Sequence, residues 1–209
     1  MQTASNTTSN TNTATAVPIN AAPSRSQRLK ADTMATHDLL DQRIMASAPF
    51  SSRENYARFL QAQYAFLRDV DALYDNAQLA ALLPDLEQRR RYASIAADLD
   101  DLETALPADA ASAPFDAQLD LATALGWLYV SEGSKLGAAI LYKLAGKIGL
   151  DEHHGARHLA GHPDGRARHW REFTSVLDTA VLDEAGEARV IDGARAAFLR
   201  MHGHVEACA

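Results

Sequence analysis

Apolar residues recur along most of this chain at three- and four-residue spacing, the mark of amphipathic helices, and a period-two strand pattern is absent. Ser26 is read as the cap of a first helix reaching about Met45, with Leu29, Thr33, Thr36, His37, Leu40 and Ile44 along one face. Pro49 ends that segment, and Ser51-x-x-Glu54 then reads as a capping box. The second helix it opens runs to about Asn76, with Tyr56, Phe59, Leu60, Gln63, Tyr64, Leu67 and Val70 as its buried stripe. Pro84 stands near the start of a third helix ending around Glu103, and residues 104–114 read as a Pro/Ala linker. A fourth stretch, about Asp116 to Ile148, is long for a globular helix, carries Gly126, Gly133 and Gly137, and is closed by Gly149 as a C-terminal cap. After a polar segment over 151–165 come a fifth helix, about 164–180, and a sixth, about 183–204. The expected fold is all-α: one domain of six or more helices over residues 26–206.

Composition agrees. The 209 residues are 47% hydrophobic with only 11 glycines and 7 prolines, too few for a turn-rich β fold. A formal net charge of -7 argues against a nucleic-acid partner. Residues 1–25 are rich in Ser, Thr and Asn and lack the apolar stretch of a secretory signal, so a disordered tail is expected there. No apolar run reaches the roughly 18 residues of a membrane span, which predicts a cytoplasmic protein with no membrane partner. The single cysteine, Cys208, excludes an intramolecular disulfide and a cysteine-ligated cluster.

Two features could carry chemistry. His37 lies within the stripe of the first helix, either as a core histidine or as a metal ligand. Asp41, one turn on, can accept from one imidazole nitrogen and raise the basicity of the other. Lys30, two turns back, stands roughly 10 Å away along the helix; it is either a solvated lysine or an anchor for a ligand's acidic edge. The second feature is Gly126–Gly137, GWLYVSEGSKLG. Gly133 and Gly137 share a helical face, although glycine in a helix costs roughly 1 kcal/mol relative to alanine. That face serves either close helix packing or a flat ligand lying on the backbone. Tyr129, Ser131 and Ser134 place hydroxyls nearby. The cluster His153, His154, His158 and His162 lacks the His-Glu-x-x-His order of a zinc hydrolase and reads as a solvated loop. His202 and His204 are equally weak candidates. Nucleotide loops and the Gly-x-Ser-x-Gly elbow are absent.

The segments RLKADTMATHDLLDQRIM (28–45), PFSSRENYARFLQAQYAF (49–66), LGWLYVSEGSKLGAAIL (125–141) and LDEHHGARHLAGHPDGRARHW (150–170) resemble the bacterial haem oxygenases of the iron-acquisition and bacteriophytochrome-associated type. The resemblance runs from about Ser26 to Val205. It implies a helical bundle holding haem between the first helix and a kinked, glycine-containing distal helix. Haem is then both cofactor and substrate, opened with O2 and external electrons to biliverdin, CO and Fe2+. By the resemblance His37 is the iron ligand, and Gly133, Gly137 and Ser134 form the catalytic distal face. Lys30 and Tyr129 contact a propionate, as in members making the α isomer. Phe198 packs on the haem, while Gln63 and Arg91 belong to a distal hydrogen-bonded network. Leu67 departs from the pattern, standing where some members place a histidine of that network. Electrons would come from a ferredoxin or flavin reductase, drawn to a first helix made basic by Arg25, Arg28, Lys30 and Arg43, and biliverdin could pass to a bacteriophytochrome. The rival readings are a non-catalytic haem-binding, storage or sensing protein, a thiamin-degrading helical hydrolase, which would need a core cysteine, and a helical adaptor.

Overall fold

A computed structural model describes residues 22–107 and 113–208; most of the expected tail and part of the expected linker lie outside the described residues. Helix α1 (Arg25–Ala46) begins just before the expected cap. Ser24 caps it, and the Gln27 side chain accepts from the Ser24 N–H at 2.9 Å. This Ser-x-x-Gln box satisfies donors that a helix start leaves orphaned. Helix α2 (Arg53–Val70) is capped by Ser52, one residue after the expected Ser51, with the Asn55 N–H donating to its hydroxyl at 3.2 Å.

The next stretch corrects the sequence reading. The chain tightens into a 3-10 turn at Asp71–Asp75, and Asn76 does not end a helix but starts one. Its side chain accepts from the N–H groups of Gln78 and Leu79, both at 3.0 Å, and opens α3 (Ala77–Leu82). Pro84 follows α3, as expected of a residue that disfavours helix before it. A second 3-10 turn, Glu87–Arg89, leads into α4 (Tyr92–Asp101), so the expected third helix starts only at Tyr92. Helix α5 (Leu121–Lys147) is a single segment of 27 residues that its glycines do not interrupt, and Gly149 closes it at φ 76°. Helices α6 (Arg166–Thr179) and α7 (Glu184–Ala207) complete an all-helical bundle. No helix among the described residues is long and apolar enough to cross a membrane.

Helix α7 is the spine, packing along α5, α1 and α2. Its crossing with α5 is backbone on backbone. A Cβ built on Gly126 would stand 2.2 Å from the Val190 carbonyl oxygen, and one on Gly193 would stand 2.7 Å from that of Thr123. Small-residue packing is therefore the role of Gly126, with Gly193 as the partner that the sequence reading missed. At the other end of the bundle the buried Arg25 guanidinium donates to the carbonyls of Leu177 and Ala180 and pairs with Glu187 at 2.5 Å, tying the start of α1 to the α6–α7 turn. The core fills with Tyr56, Leu60, Leu125, Leu128 and Phe173. Nearly every residue of α5 from Ala122 to Glu132 is buried, whereas most from Gly133 onward are partly or fully exposed.

Candidate active site

Helices α1 and α5 both rest on α7 and α6. Direct bridging comes from Tyr129 of α5, whose hydroxyl bonds with that of Thr33. Burial pushes the Tyr129 phenol up from its ordinary pKa, so it stays a neutral donor. Thr33 donates to the Leu29 carbonyl at 2.7 Å.

His37 lies outside the core, which rules against the buried-histidine reading: 53% of its side chain is exposed. Its ring stands edge-on to Phe198, centroids 5.8 Å apart. Nδ1 faces carboxylates on both sides, Asp41 Oδ2 at 3.5 Å and Asp38 Oδ1 at 3.6 Å. Asp41 is where sequence spacing placed it; Asp38 was missed. Such partners favour the tautomer protonated on Nδ1, which leaves the Nε2 lone pair free. Lys30 is exposed on the same side of α1, together with Met34 at 59%.

The two candidate glycines have different surroundings. A Cβ on Gly133 would touch the Trp170 ring at 3.7 Å, an ordinary contact, while one on Gly137 would meet nothing within 4 Å. Neither serves close helix packing. Trp170 also lies 5.6 Å from the Tyr129 ring, and Ile140, one turn beyond Leu136, is 67% exposed. The hydroxyls nearby are less available than expected. Ser134 donates to the Ser131 carbonyl at 2.7 Å and accepts from Arg91 Nη2 at 2.9 Å. Ser131 is buried against Tyr74, away from the site.

Behind α5 lies a polar network that the sequence showed only in part. Gln63 meets His158 Nε2 at 2.7 Å, and His158 Nδ1 meets Asp98 at 2.6 Å. Burial lowers the histidine's pKa, so the neutral ring donates from Nδ1 to Asp98 and accepts at Nε2, which the Gln63 amide N–H must then face. His158 is therefore a buried strut, not one of a solvated group. The other loop histidines do not converge with it, and no metal-binding cluster exists among the described residues. Leu67 packs in the core beside this layer. Arg89 is wholly buried, with Nη1 2.8 Å from Glu132 and Nη2 2.8 Å from Asp85. Lys135 holds the other Glu132 oxygen at 2.6 Å, and burial pushes its ammonium down to about 8. Glu132 sits inside the GWLYVSEGSKLG motif; it went unread because a carboxylate there gives no periodic signal. The basic character expected of α1 is largely neutralised. Glu187 pairs with Arg25 and Arg28, and Glu206 with Arg43, leaving Lys30.

This chain belongs to the haem oxygenase family, whose family model, described as heme oxygenase, matches residues 24–207. Among its relatives is heme oxygenase PigA of Pseudomonas aeruginosa, 48% identical over 176 residues that cover 84% of this chain and 88% of that one. A heme oxygenase of Neisseria meningitidis, solved with NO and CO bound, superposes with a TM-score of 0.85 at 42% identity, covering 90% of this chain and 92% of that one. Heme oxygenase-1 of the cyanobacterium Synechocystis, solved with heme, shares the fold at a TM-score of 0.72 and 14% identity, over 88% and 92% of the two chains. The protein cleaves haem to biliverdin, with haem as both substrate and prosthetic group, and it draws on O2 and on electrons from a reductase.

Proposed function

We propose that His37 ligates the haem iron through Nε2 and that the macrocycle lies between α1 and the Gly133–Gly137 face of α5. The observation that carries this reading is the setting of His37: Nδ1 turned to two carboxylates, Phe198 against its edge, and more than half the side chain open to solvent. The exposed Met34 and Ile140 supply apolar surface for a flat apolar ring. The enzyme acts as one domain over about residues 26–206.

In this reading the protein contributes placement more than bond-making. His37 fixes the iron from one side. At Gly137 the α5 backbone carries no side chain, so a haem held there would lie directly against it, and the backbone would limit where O2 could sit. Gly133 shares that face with Trp170, and Ser134 is held there by Arg91. Gln63 and Arg91 order the polar layer from which a proton reaches the site. Lys30 and Tyr129 hold a propionate and so set the ring's rotation, which gives the α isomer. The electron donor is a ferredoxin or flavin reductase, the setting is cytoplasmic, and a bacteriophytochrome is a fitting recipient of the biliverdin.

Two experiments test these assignments. Replacing Lys30 and Tyr129 together is expected to shift biliverdin from the α isomer towards other isomers, read by chromatography; unchanged isomer ratios would sink the propionate assignment. Gly137→Ala is expected to raise Tm, since alanine favours helix by roughly 1 kcal/mol and the new methyl meets nothing within 4 Å. Haem turnover should fall in the same variant. A more stable protein with full activity would remove Gly137 from the haem face.

A further inference from the structure

A cavity of ≈ 260 Å³ lies against α5 at Glu132, Lys135 and Leu136, with Trp170 on its wall. Five arginines, one lysine and three histidines line it, against one carboxylate. Three of the arginines are already paired with carboxylates: Arg90 with Asp71, Asp75 and Glu87, Arg157 with Asp98 and Asp101, and Arg89 with Asp85. The single carboxylate, Glu132, has both oxygens occupied by Arg89 and Lys135. Arg91 and Arg166 have no carboxylate partner among the described contacts. Arg91 bonds to the Ser131 carbonyl and the Ser134 hydroxyl, and Arg166 to the carbonyls of Lys135 and Leu159.

Two further observations point to a missing negative charge. The Nε atoms of Arg89 and Arg91 are buried N–H donors with no acceptor, although both residues line the cavity. An unsatisfied buried donor of this kind costs free energy that a ligand oxygen would recover. The cations also repel one another: after burial, Arg91 is what holds Arg166 below its ordinary pKa, and it pulls Lys135 and His158 the same way. His162 and His169 stack at 4.4 Å along the rim and add two more nitrogen-bearing rings.

We infer that this cavity is a binding site for a small multivalent oxoanion of the phosphate or diphosphate class, held by Arg89, Arg91, Lys135 and Arg166. Guanidinium groups suit such anions because paired N–H donors match adjacent oxygens. The cavity exceeds the volume of a single phosphate group, so diphosphate is expected to bind more tightly than phosphate. The inference does not depend on the ligand role of His37.

The test is calorimetric titration of the full chain with inorganic phosphate and then diphosphate, at ionic strength held constant with sodium chloride, both without and with haemin. One-site saturable binding is expected in each case. Arg166→Gln should weaken it by roughly tenfold, as loss of a charge-assisted pair implies, while circular dichroism shows the helices intact. His162→Ala, at the rim, is a milder second variant that should weaken binding by a smaller factor. Heats no larger than those of a matched acetate titration would overturn the proposal, as would an Arg166→Gln variant that is folded and binds both anions as tightly as the wild type.

Discussion

His37→Ala is expected to lower haem turnover by roughly 100-fold or more. The bound follows from what lesser changes do: removing a group that merely orients a metal-bound histidine costs about 10–100-fold in affinity or activity, and here the proposed ligand itself is lost. Asp41→Ala, which removes one of the two carboxylates facing Nδ1 at about 3.5 Å, supplies the comparison and should fall near the lower end of that range. The Soret band of the ferric complex and the biliverdin yield report the two effects separately. Added imidazole should restore part of the turnover in His37→Ala by filling the gap the ring leaves. A variant with the wild-type Soret spectrum and rate would show that the iron is held elsewhere.

The second large effect concerns stability. Gly126→Ala should destabilise the fold even though helix propensity alone favours the change by roughly 1 kcal/mol. The new methyl would stand 2.2 Å from the Val190 carbonyl oxygen and 2.8 Å from the Ala194 nitrogen, both backbone atoms. Overpacking typically costs 1–3 kcal/mol, and the upper end of that range applies because no flexible side chain can move aside. The net loss is about 2 kcal/mol, a Tm drop of about 4–8 °C for a chain of this size. Gly137→Ala has the opposite expected sign, so a thermal melt of the pair is decisive. A rise in Tm for Gly126→Ala would mean that α5 and α7 do not cross backbone to backbone.

That pair also shows where sequence reading stops. Gly126 and Gly137 look alike in a string, and both packing and ligand readings stood open for such a stretch. Only the path of α7 separates them, because Gly193 approaches from a segment far along the chain. Helices α1, α2, α5, α6 and α7 were legible within a few residues because their apolar period is long and their ends carry caps. The region between Asp71 and Arg91 was not. It is built from 3-10 turns and one short helix, where a single Asn76 side chain decides whether a helix ends or begins. The candidate site was half legible. His37, Asp41, Lys30, Tyr129 and the glycines follow helical spacing. The layer behind α5 joins Gln63, Arg89, Asp98, Glu132 and His158, and no periodic signal connects residues so far apart. Arg89 carried no signal in the sequence, yet it is among the most deeply buried side chains in the protein.

The crossing at Gly126 and Gly193 has a mechanical consequence. Contact between two backbones leaves no side chains to slide over one another, and the residues of α5 around it are buried on nearly all sides. Beyond Lys135, which Arg166 and Glu132 still hold, most of the helix is partly or fully exposed. Helix α5 thus works as a lever with its fulcrum at Gly126: a small tilt there becomes a larger sweep at Gly137 and Ile140, some 17–21 Å along the axis at 1.5 Å per residue. The reach of any tilt of α5 is therefore set by a contact far from the chemistry.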